Sequence, residues 1–403
     1  MGIVILLLSA YLFNKRICNE SRYNKNILWG AVVFYFLFSL ILNWYLREIL
    51  GWEHGIPGSD LTRYYNGAQA LMNGTPLHEL GRYDGAFELS ITHIGYILYA
   101  VFIAITALCP VIISVEVSLQ ILYCVQAFAA IAAILNIIDF FVDNDDEYLK
   151  RRLLIVFLLC TSVLQCAAIL MRDIWILFII TCLLRECEKK NGSIIKSALL
   201  IFIAFGFRYY SLVITIPILF GYRFKKKKLA SIILACVFLT FFFGQGYINS
   251  IAKAVGIRYS YTFSTSVYSL LSYIMFPSPI SQAYNVQHMN MSQHAIFGGN
   301  TEWIYYLLSC WNVYVYPVSF YGIYKSIINK KTEDTALWGL VLLNIAMLMC
   351  VFYGATSSPR HKLLIIISLA YFFKEGYQAM RGSYRIGYFF VVLIVLLLIF
   401  SIA

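Results

Sequence analysis

An aspartate with basic and aromatic neighbours lies in a polar segment between two long apolar runs of this chain. Pro57-Gly58-Ser59 leads into Asp60, and Arg63, Tyr64 and Tyr65 follow within a few residues. An ionisable group beside a membrane span is costly to keep there, which makes it a functional-site candidate. Asp60 could act as a general base toward an acceptor hydroxyl, and the arginine and the two tyrosines are candidates for substrate binding.

The same segment also has a purely structural interpretation. Residues 61–72 carry apolar side chains at i, i+3 and i+4 spacing, which predicts a short helix. The residues that would share one face of that helix are Leu61, Tyr64, Tyr65, Ala68, Leu71 and Met72. Asp60 would be its N-cap, which needs only a side-chain oxygen. The sequence leaves both roles open.

Two other charged groups interrupt apolar runs. Arg172-Asp173 stands between two predicted spans, and Arg208 divides the run 197–221. Because burying a lone charge costs several kcal/mol, each group needs a partner or water. Arg172 and Asp173 could form an ion pair with each other. Alternatively, Arg172 neutralises a lipid-linked phosphate while Asp173 orients it. Arg208 could pair with Asp173, or its forked guanidinium could bind phosphate.

A basic turn precedes one of the last predicted spans. Arg360 and His361 follow Pro359 in this turn, which lies on the predicted outer side and departs from the usual charge rule for membrane proteins. Their side chains could extend to lipid headgroups. As an alternative, they would help to clamp a phosphate.

The composition identifies the class of protein. Hydrophobic residues make up 61% of the 403 residues, and charged residues only 13%. Soluble domains have about 25% charged residues. We therefore predict an all-α, polytopic membrane protein. The formal net charge is +11, but the basic residues lie in short clusters between apolar runs, so we predict no nucleic-acid partner. The cysteine spacing indicates neither a metal site nor a disulfide framework.

The apolar runs, which include 153–171 and 386–403, predict about twelve spans, several of them shorter than the roughly 20 residues that a bilayer crossing needs. Most of the 31 Lys and Arg residues fall in short loops on one side if the N-terminus is outside. Residues 94–113 then form a re-entrant or surface-lying helix, and both termini lie outside. The outer loops are long at about 47–93 and 250–300. One integral domain, 1–403, is the simplest organisation.

These features resemble the GT-C superfamily of integral-membrane glycosyltransferases, which take sugars from polyprenyl-linked donors. Gly58-Ser59-Asp60, Tyr64-Tyr65 and the tail through Ala68 and Gly74 resemble the first outer loop of that family. Arg172-Asp173 looks like its "RD" turn, and Pro359-Arg360-His361 resembles its late arginine-containing turn. The order of the elements is also similar to bacterial O-antigen polymerases of the Wzy kind.

The resemblance implies a transferase at the periplasmic face of a bacterial inner membrane. Its substrates would be polyprenyl-phosphate or diphosphate glycans, used in polymerising or branching O-antigen, the lipopolysaccharide side chain, or a similar surface polysaccharide. Asp60 would be the catalytic base, and Arg172, Arg208, Arg360 and His361 would bind the donor phosphate. Arg63, Tyr64, Tyr65 and Asp173 would contact substrate. No cofactor is expected; the sequence permits a divalent metal but does not indicate one, because its carboxylates are scattered.

Two other functions stay open. A flippase for lipid-linked oligosaccharides would also need arginines for phosphate, but such transporters commonly show repeated halves with matching broken helices. A structural partner of an assembly complex would leave the outer polar residues without a shared site. The membrane lipids, a flippase and a chain-length regulator are the partners that this setting suggests.

Overall fold

The structure is a computed structural model that describes residues 2–49, 60–76, 92–108, 115–143, 145–189, 191–243, 302–329, 332–353 and 363–380. The described residues contain helices and no strand, which confirms the all-α prediction for this part of the chain. The helices are α1 (Gly2–Ile17), α2 (Arg22–Trp44), α3 (Asp60–Met72), α4 (Thr92–Ile103), α5 (Val115–Phe141), α6 (Glu147–Leu158), α7 (Thr161–Ala168), α8 (Asp173–Glu188), α9 (Ile194–Phe207), α10 (Leu212–Ile218), α11 (Lys227–Phe243), α12 (Glu302–Ile328), α13 (Thr332–Tyr353) and α14 (Ile366–Met380).

A few of these helices could span a membrane. Within the described residues, two helical stretches, Arg22–Glu48 and Val117–Phe141, are long and apolar enough, and a bent pair, α6 with α7, would make a third. The count of about twelve spans stays a prediction. Residues 94–113 were predicted to form a re-entrant or surface-lying helix and not a full span. Here α4 continues into a π-helical turn, Ala104–Leu108, and its apolar part is shorter than a full span.

Several predicted elements lie outside the described residues. These are the outer loop 250–300, the span 386–403, the turn that holds Arg360 and His361, and most of the loop 47–93. The described helices group into two compact units. The first consists of Met1–Asn136, Leu154–Glu186 and Ser193–Leu212, and the second of Ile137–Leu153, Cys187–Gly192 and Val213–Ala403. The single integral domain stays a prediction.

Most of helix α5 belongs to the first unit, and this helix is largely buried. Its apolar window is 83% buried, whereas the window of α2 is only 22% buried. Helix α2 thus exposes a wide apolar face, which is the surface that a lipid-facing helix presents. Phe13, Trp29 and Phe128 join α1, α2 and α5 in an aromatic cluster, with ring centroids 5.1–6.1 Å apart.

The run 153–171 was predicted to be one span, but it is broken. Helices α6 and α7 meet at a bend of 54°. No proline or glycine marks this position in the sequence. The bend is stabilised from outside the run, because the hydroxyl of Tyr35 on α2 donates a 2.9 Å hydrogen bond to the carbonyl of Leu158. A tertiary contact therefore replaces a helical hydrogen bond at the break.

A second break separates α7 from α8 and carries Arg172. Side chains of neighbouring helices donate hydrogen bonds to the backbone carbonyl groups at this break. Gln126 on α5 donates to Ala167 at 3.1 Å and to Ile169 at 2.8 Å, and it accepts a hydrogen bond from the Tyr99 hydroxyl on α4. Asn43 on α2 donates to the carbonyl of Ala168 at 2.8 Å. Gln126 thus connects α4, α5 and the broken junction.

In the second unit, α12 and α14 approach closely through two glycines. A Cβ atom on Gly322 would overlap the carbonyl oxygen of Phe372, and one on Gly376 would overlap that of Val318. Small residues permit this backbone contact between apolar helices. Close to the contact, the Ser319 hydroxyl donates to the carbonyl of Leu369 at 3.3 Å.

A polar cluster joins the turn before α11 to the start of α13 in the same unit. Lys227 Nζ lies 2.7 Å from Asp334 Oδ1, and the Tyr222 hydroxyl donates to the same oxygen at 3.2 Å. The Trp338 indole donates to the Tyr222 hydroxyl at 2.8 Å. Farther along, Asn344 donates to the carbonyl of Leu234 at 3.0 Å. These contacts fix α13 against α11.

Replacing Gly376 with alanine should destabilise the second unit by about 2 kcal/mol, because the added methyl group enters a backbone contact that has no room for it. Gly339→Ala is the matched control, since a Cβ atom added at Gly339 would lie 3.9 Å from Phe372 Cζ, which is an ordinary van der Waals contact. Thermal unfolding of the two purified variants in detergent measures the difference. Equal melting temperatures would contradict the close approach of α12 and α14.

Replacing Gln126 with leucine should lower stability by a few kcal/mol, since each buried group left without its hydrogen bond costs about 1–3 kcal/mol. Gln120→Leu on the same helix is the control. Its buried Oε1 has no hydrogen-bond partner among the described residues, so the substitution should be neutral or stabilising. Denaturant unfolding measures the free energy of unfolding of both variants. A smaller loss of this free energy for Gln126→Leu than for Gln120→Leu would show that the junction does not depend on this amide.

Candidate anion-binding site

The site is built on α3, which begins at Asp60. The prediction of a helix over 61–72 is therefore correct to within one residue at its start. Tyr64, Tyr65 and Ala68 are buried at 0–2% exposure and form the predicted inner face. Met72 was placed on this face too, but it is 41% exposed. The inner face of α3 packs on α4.

The two tyrosines of α3 have different surroundings. The ring of Tyr64 lies edge-to-face with the ring of Tyr99 on α4, with centroids 4.9 Å apart and an interplanar angle of 89°. The Tyr65 hydroxyl accepts a 3.2 Å hydrogen bond from Gln69 one turn later. Tyr64 is therefore the tyrosine that connects α3 to the rest of the site.

Arg172 is buried directly against Tyr64. Its guanidinium carbon lies 5.6 Å from the centroid of the Tyr64 ring, within the range of a cation–π contact. The residue is only 7% exposed. Its Nε and Nη1 atoms have no hydrogen-bond acceptor among the described residues. Such a group is unusual, because buried donors in native proteins are nearly always paired.

Asp173 pairs with Arg208. The Asp173 Oδ1 and Arg208 Nη2 atoms are 3.7 Å apart, and both side chains are about nine-tenths buried. Of the alternatives that the sequence left open, the structure thus shows the Arg208–Asp173 pair and not a pair between Arg172 and Asp173. Arg208 follows the last residue of α9 in extended conformation, and its guanidinium also lies 5.9 Å from the ring centroid of Tyr210.

A series of aromatic contacts extends from the Tyr99 ring. From Tyr99 the contacts continue to Phe102, at a centroid distance of 6.4 Å, and then to Trp175, at 4.9 Å. Trp175 lies on α8, three residues after Arg172. Sequence reasoning did not assign Tyr99, Phe102 or Trp175 to the site. The spacing of Trp175 from Arg172, one helical turn, was the available signal.

The structure thus brings Tyr64, Arg172, Asp173 and Arg208 together within the first unit. The backbone of Asp60 lies one turn before Tyr64, about 6 Å along the axis of α3. The side chains of Asp60 and Arg63 lie outside the described part, as do Arg360 and His361. Two guanidinium groups and one carboxylate give the described cluster an excess of one positive charge, so it favours an anion.

The described residues contain no group of three or more His, Cys, Asp or Glu side chains that could hold a metal ion. The side chains of all six histidines lie outside this part of the chain. The groups available in the described site are therefore hydrogen-bond donors, aromatic rings and one paired carboxylate. They can bind and neutralise an anionic oxygen group.

Comparisons of the chain with known protein families, with curated proteins and with solved structures found no match.

Proposed function

We propose that this protein is a membrane glycosyltransferase that takes a sugar or oligosaccharide from a polyprenyl phosphate or diphosphate donor. The acceptor would be a lipid-linked glycan, and the product an O-antigen or similar surface polysaccharide. The proposal rests on the contact between Tyr64 and the buried guanidinium of Arg172. It brings the helix that begins with Asp60 to the cluster of Arg172, Asp173 and Arg208.

The cluster suits the donor phosphate. A buried guanidinium with unpaired donors binds phosphate oxygens through charge-assisted hydrogen bonds. Asp173 neutralises Arg208, which leaves the charge of Arg172 for the ligand. Tyr64 and Trp175 provide aromatic surface beside it, and aromatic rings pack well against sugar faces and the membrane interface. Arg208, Arg360 and His361 would bind the more distant phosphate oxygens.

In the proposed reaction, the acceptor hydroxyl oxygen attacks the anomeric carbon of the donor sugar. Asp60 takes the proton of that hydroxyl as a general base. The bond between the anomeric carbon and the phosphate oxygen breaks, and its electron pair stays on the phosphate. Arg172 stabilises the negative charge that develops there. The lipid phosphate is itself the leaving group, so neither a nucleotide nor a redox cofactor takes part.

The membrane setting belongs to the same proposal. A GT-C-like bundle of about twelve spans would place α3 and the start of α8 at the periplasmic face of a bacterial inner membrane. The apolar helices and the clustering of basic residues in short loops support this orientation. A flippase for the same lipid-linked glycans is the second candidate, because the cluster of arginines would serve phosphate transport equally well.

Asp60→Asn should abolish chain extension, since losing a general base slows a reaction by about 10²–10⁴-fold. The measurement is the surface-glycan ladder, together with the protein level and the export of the lipid-linked precursor. Glu48→Gln is the control, because this carboxylate is 49% exposed and pairs with Arg47. Precursor that accumulates on the inner face would favour the flippase, and an unchanged ladder would contradict the catalytic role.

Arg172→Lys should raise the KM for the lipid-linked donor by about tenfold or more, because lysine cannot supply the forked donors of a guanidinium. Arg47→Lys is the matched control at an arginine whose side chain is 45% exposed. Initial rates with purified protein and a synthetic polyprenyl-linked donor measure the change. An unchanged KM in a folded Arg172→Lys protein would remove Arg172 from the donor site.

A further inference from the structure

Three unpartnered N–H donors lie at the start of α8. They are Nε and Nη1 of Arg172 and the indole Nε1 of Trp175, and each is buried without a hydrogen-bond acceptor among the described residues. A buried donor without an acceptor is costly, typically by about 1–3 kcal/mol. Several such donors within one helical turn therefore need an explanation, and a ligand that supplies acceptors is a sufficient one.

The donors belong to one surface. Arg172 immediately precedes α8, and the backbone amide of Trp175 donates to the Arg172 carbonyl at 3.0 Å. Residues three apart on a helix are neighbours on the same face. The ring contacts connect the same two residues a second time, from Arg172 through Tyr64, Tyr99 and Phe102 back to Trp175. Arg172 and Trp175 are thus linked both by a backbone hydrogen bond and by a series of three aromatic rings.

The chemistry of a ligand that could bind here follows from these groups. The three unpartnered atoms of Arg172 and Trp175 are all donors, and neither an indole nor a guanidinium can accept a hydrogen bond. The carboxylate of Asp173, the next residue in the chain, is engaged by Arg208. The positive end of the α8 dipole adds to the charge of Arg172. The ligand must therefore supply several acceptor oxygens and negative charge, as a phosphate group does.

We propose that Trp175 is a second phosphate-binding residue, which donates its indole N–H to an oxygen of the same phosphate that Arg172 binds. This inference rests on the proposed function, because it takes that phosphate to be the one on the polyprenyl-linked donor. The indole ring would also contact the first part of the substrate beyond the phosphate. Phe102 holds the ring in place through its edge-to-face contact.

The test is the binding of farnesyl phosphate to the full-length protein in phosphatidylcholine nanodiscs, measured by calorimetry. Trp175→Phe should bind this probe about tenfold more weakly, since one charge-assisted hydrogen bond is lost while an aromatic ring remains. Binding of farnesol, which lacks the phosphate, should not change. Trp44→Phe is the matched control, because Trp44 is 55% exposed on α2.

A second variant replaces Trp175 with benzothienylalanine, which keeps the shape of the indole but has no N–H. It should show the same weakening even if Trp175→Phe fails to fold. If both Trp175 variants bind farnesyl phosphate as tightly as the unmodified protein while Arg172→Lys does not, the role of the indole is wrong and the donor site stands.

Two other results would contradict more than the role of the indole. If the unmodified protein does not bind farnesyl phosphate, or binds it independently of Arg172, both this inference and the proposed donor site are wrong. If phosphatidylglycerol displaces the probe at equal concentration with the same dependence on Trp175, the site holds ordinary phospholipid headgroups. That result would overturn the assignment to the donor substrate.

Discussion

The burial of the Arg172 guanidinium is the constraint on which the site depends. A charge out of contact with water costs several kcal/mol unless it is paired. Its contact with the ring of Tyr64 offsets only part of this, since cation–π contacts contribute about 0.5–2 kcal/mol. The neighbouring carboxylate of Asp173 is directed to Arg208. Among the described residues, nothing else neutralises Arg172, and an anionic ligand is the partner with the right charge.

The scaffold around Arg172 explains how the chain can hold it there. Arg172 lies in a break between two helices, where carbonyl groups lose their helical partners. In apolar surroundings such a break is stable only if other groups supply hydrogen bonds. Gln126 and Asn43 do this from two other helices, at 2.8–3.1 Å. The same Gln126 also holds Tyr99, which supports Tyr64. One amide therefore supports both the break that precedes Arg172 and the ring of Tyr99 on which Tyr64 packs.

Parts of this arrangement were predictable from the sequence. Isolated charges in apolar runs marked the breaks at Arg172-Asp173 and at Arg208, because a helix cannot carry such groups through a membrane without partners. The periodicity of residues 61–72 predicted α3 and its buried tyrosines. The break between α6 and α7 was not predictable, because it depends on the long-range hydrogen bond from Tyr35 and has no local signal. The role of Gln126 was hidden for the same reason, since its partners lie about 40 residues away in the chain.

The choice of partner for Asp173 decides where the positive charge of the cluster resides. Adjacent residues at the start of a helix point about 100° apart, so Arg172 and Asp173 do not face each other. Asp173 turns instead toward the end of α9 and neutralises Arg208. Had Asp173 paired with Arg172, the excess charge would lie on Arg208 at the end of α9. The observed pairing keeps the excess positive charge against Tyr64, one turn from Asp60 along α3. In the proposed reaction, the same short helix would therefore hold both the phosphate leaving group and the hydroxyl that displaces it.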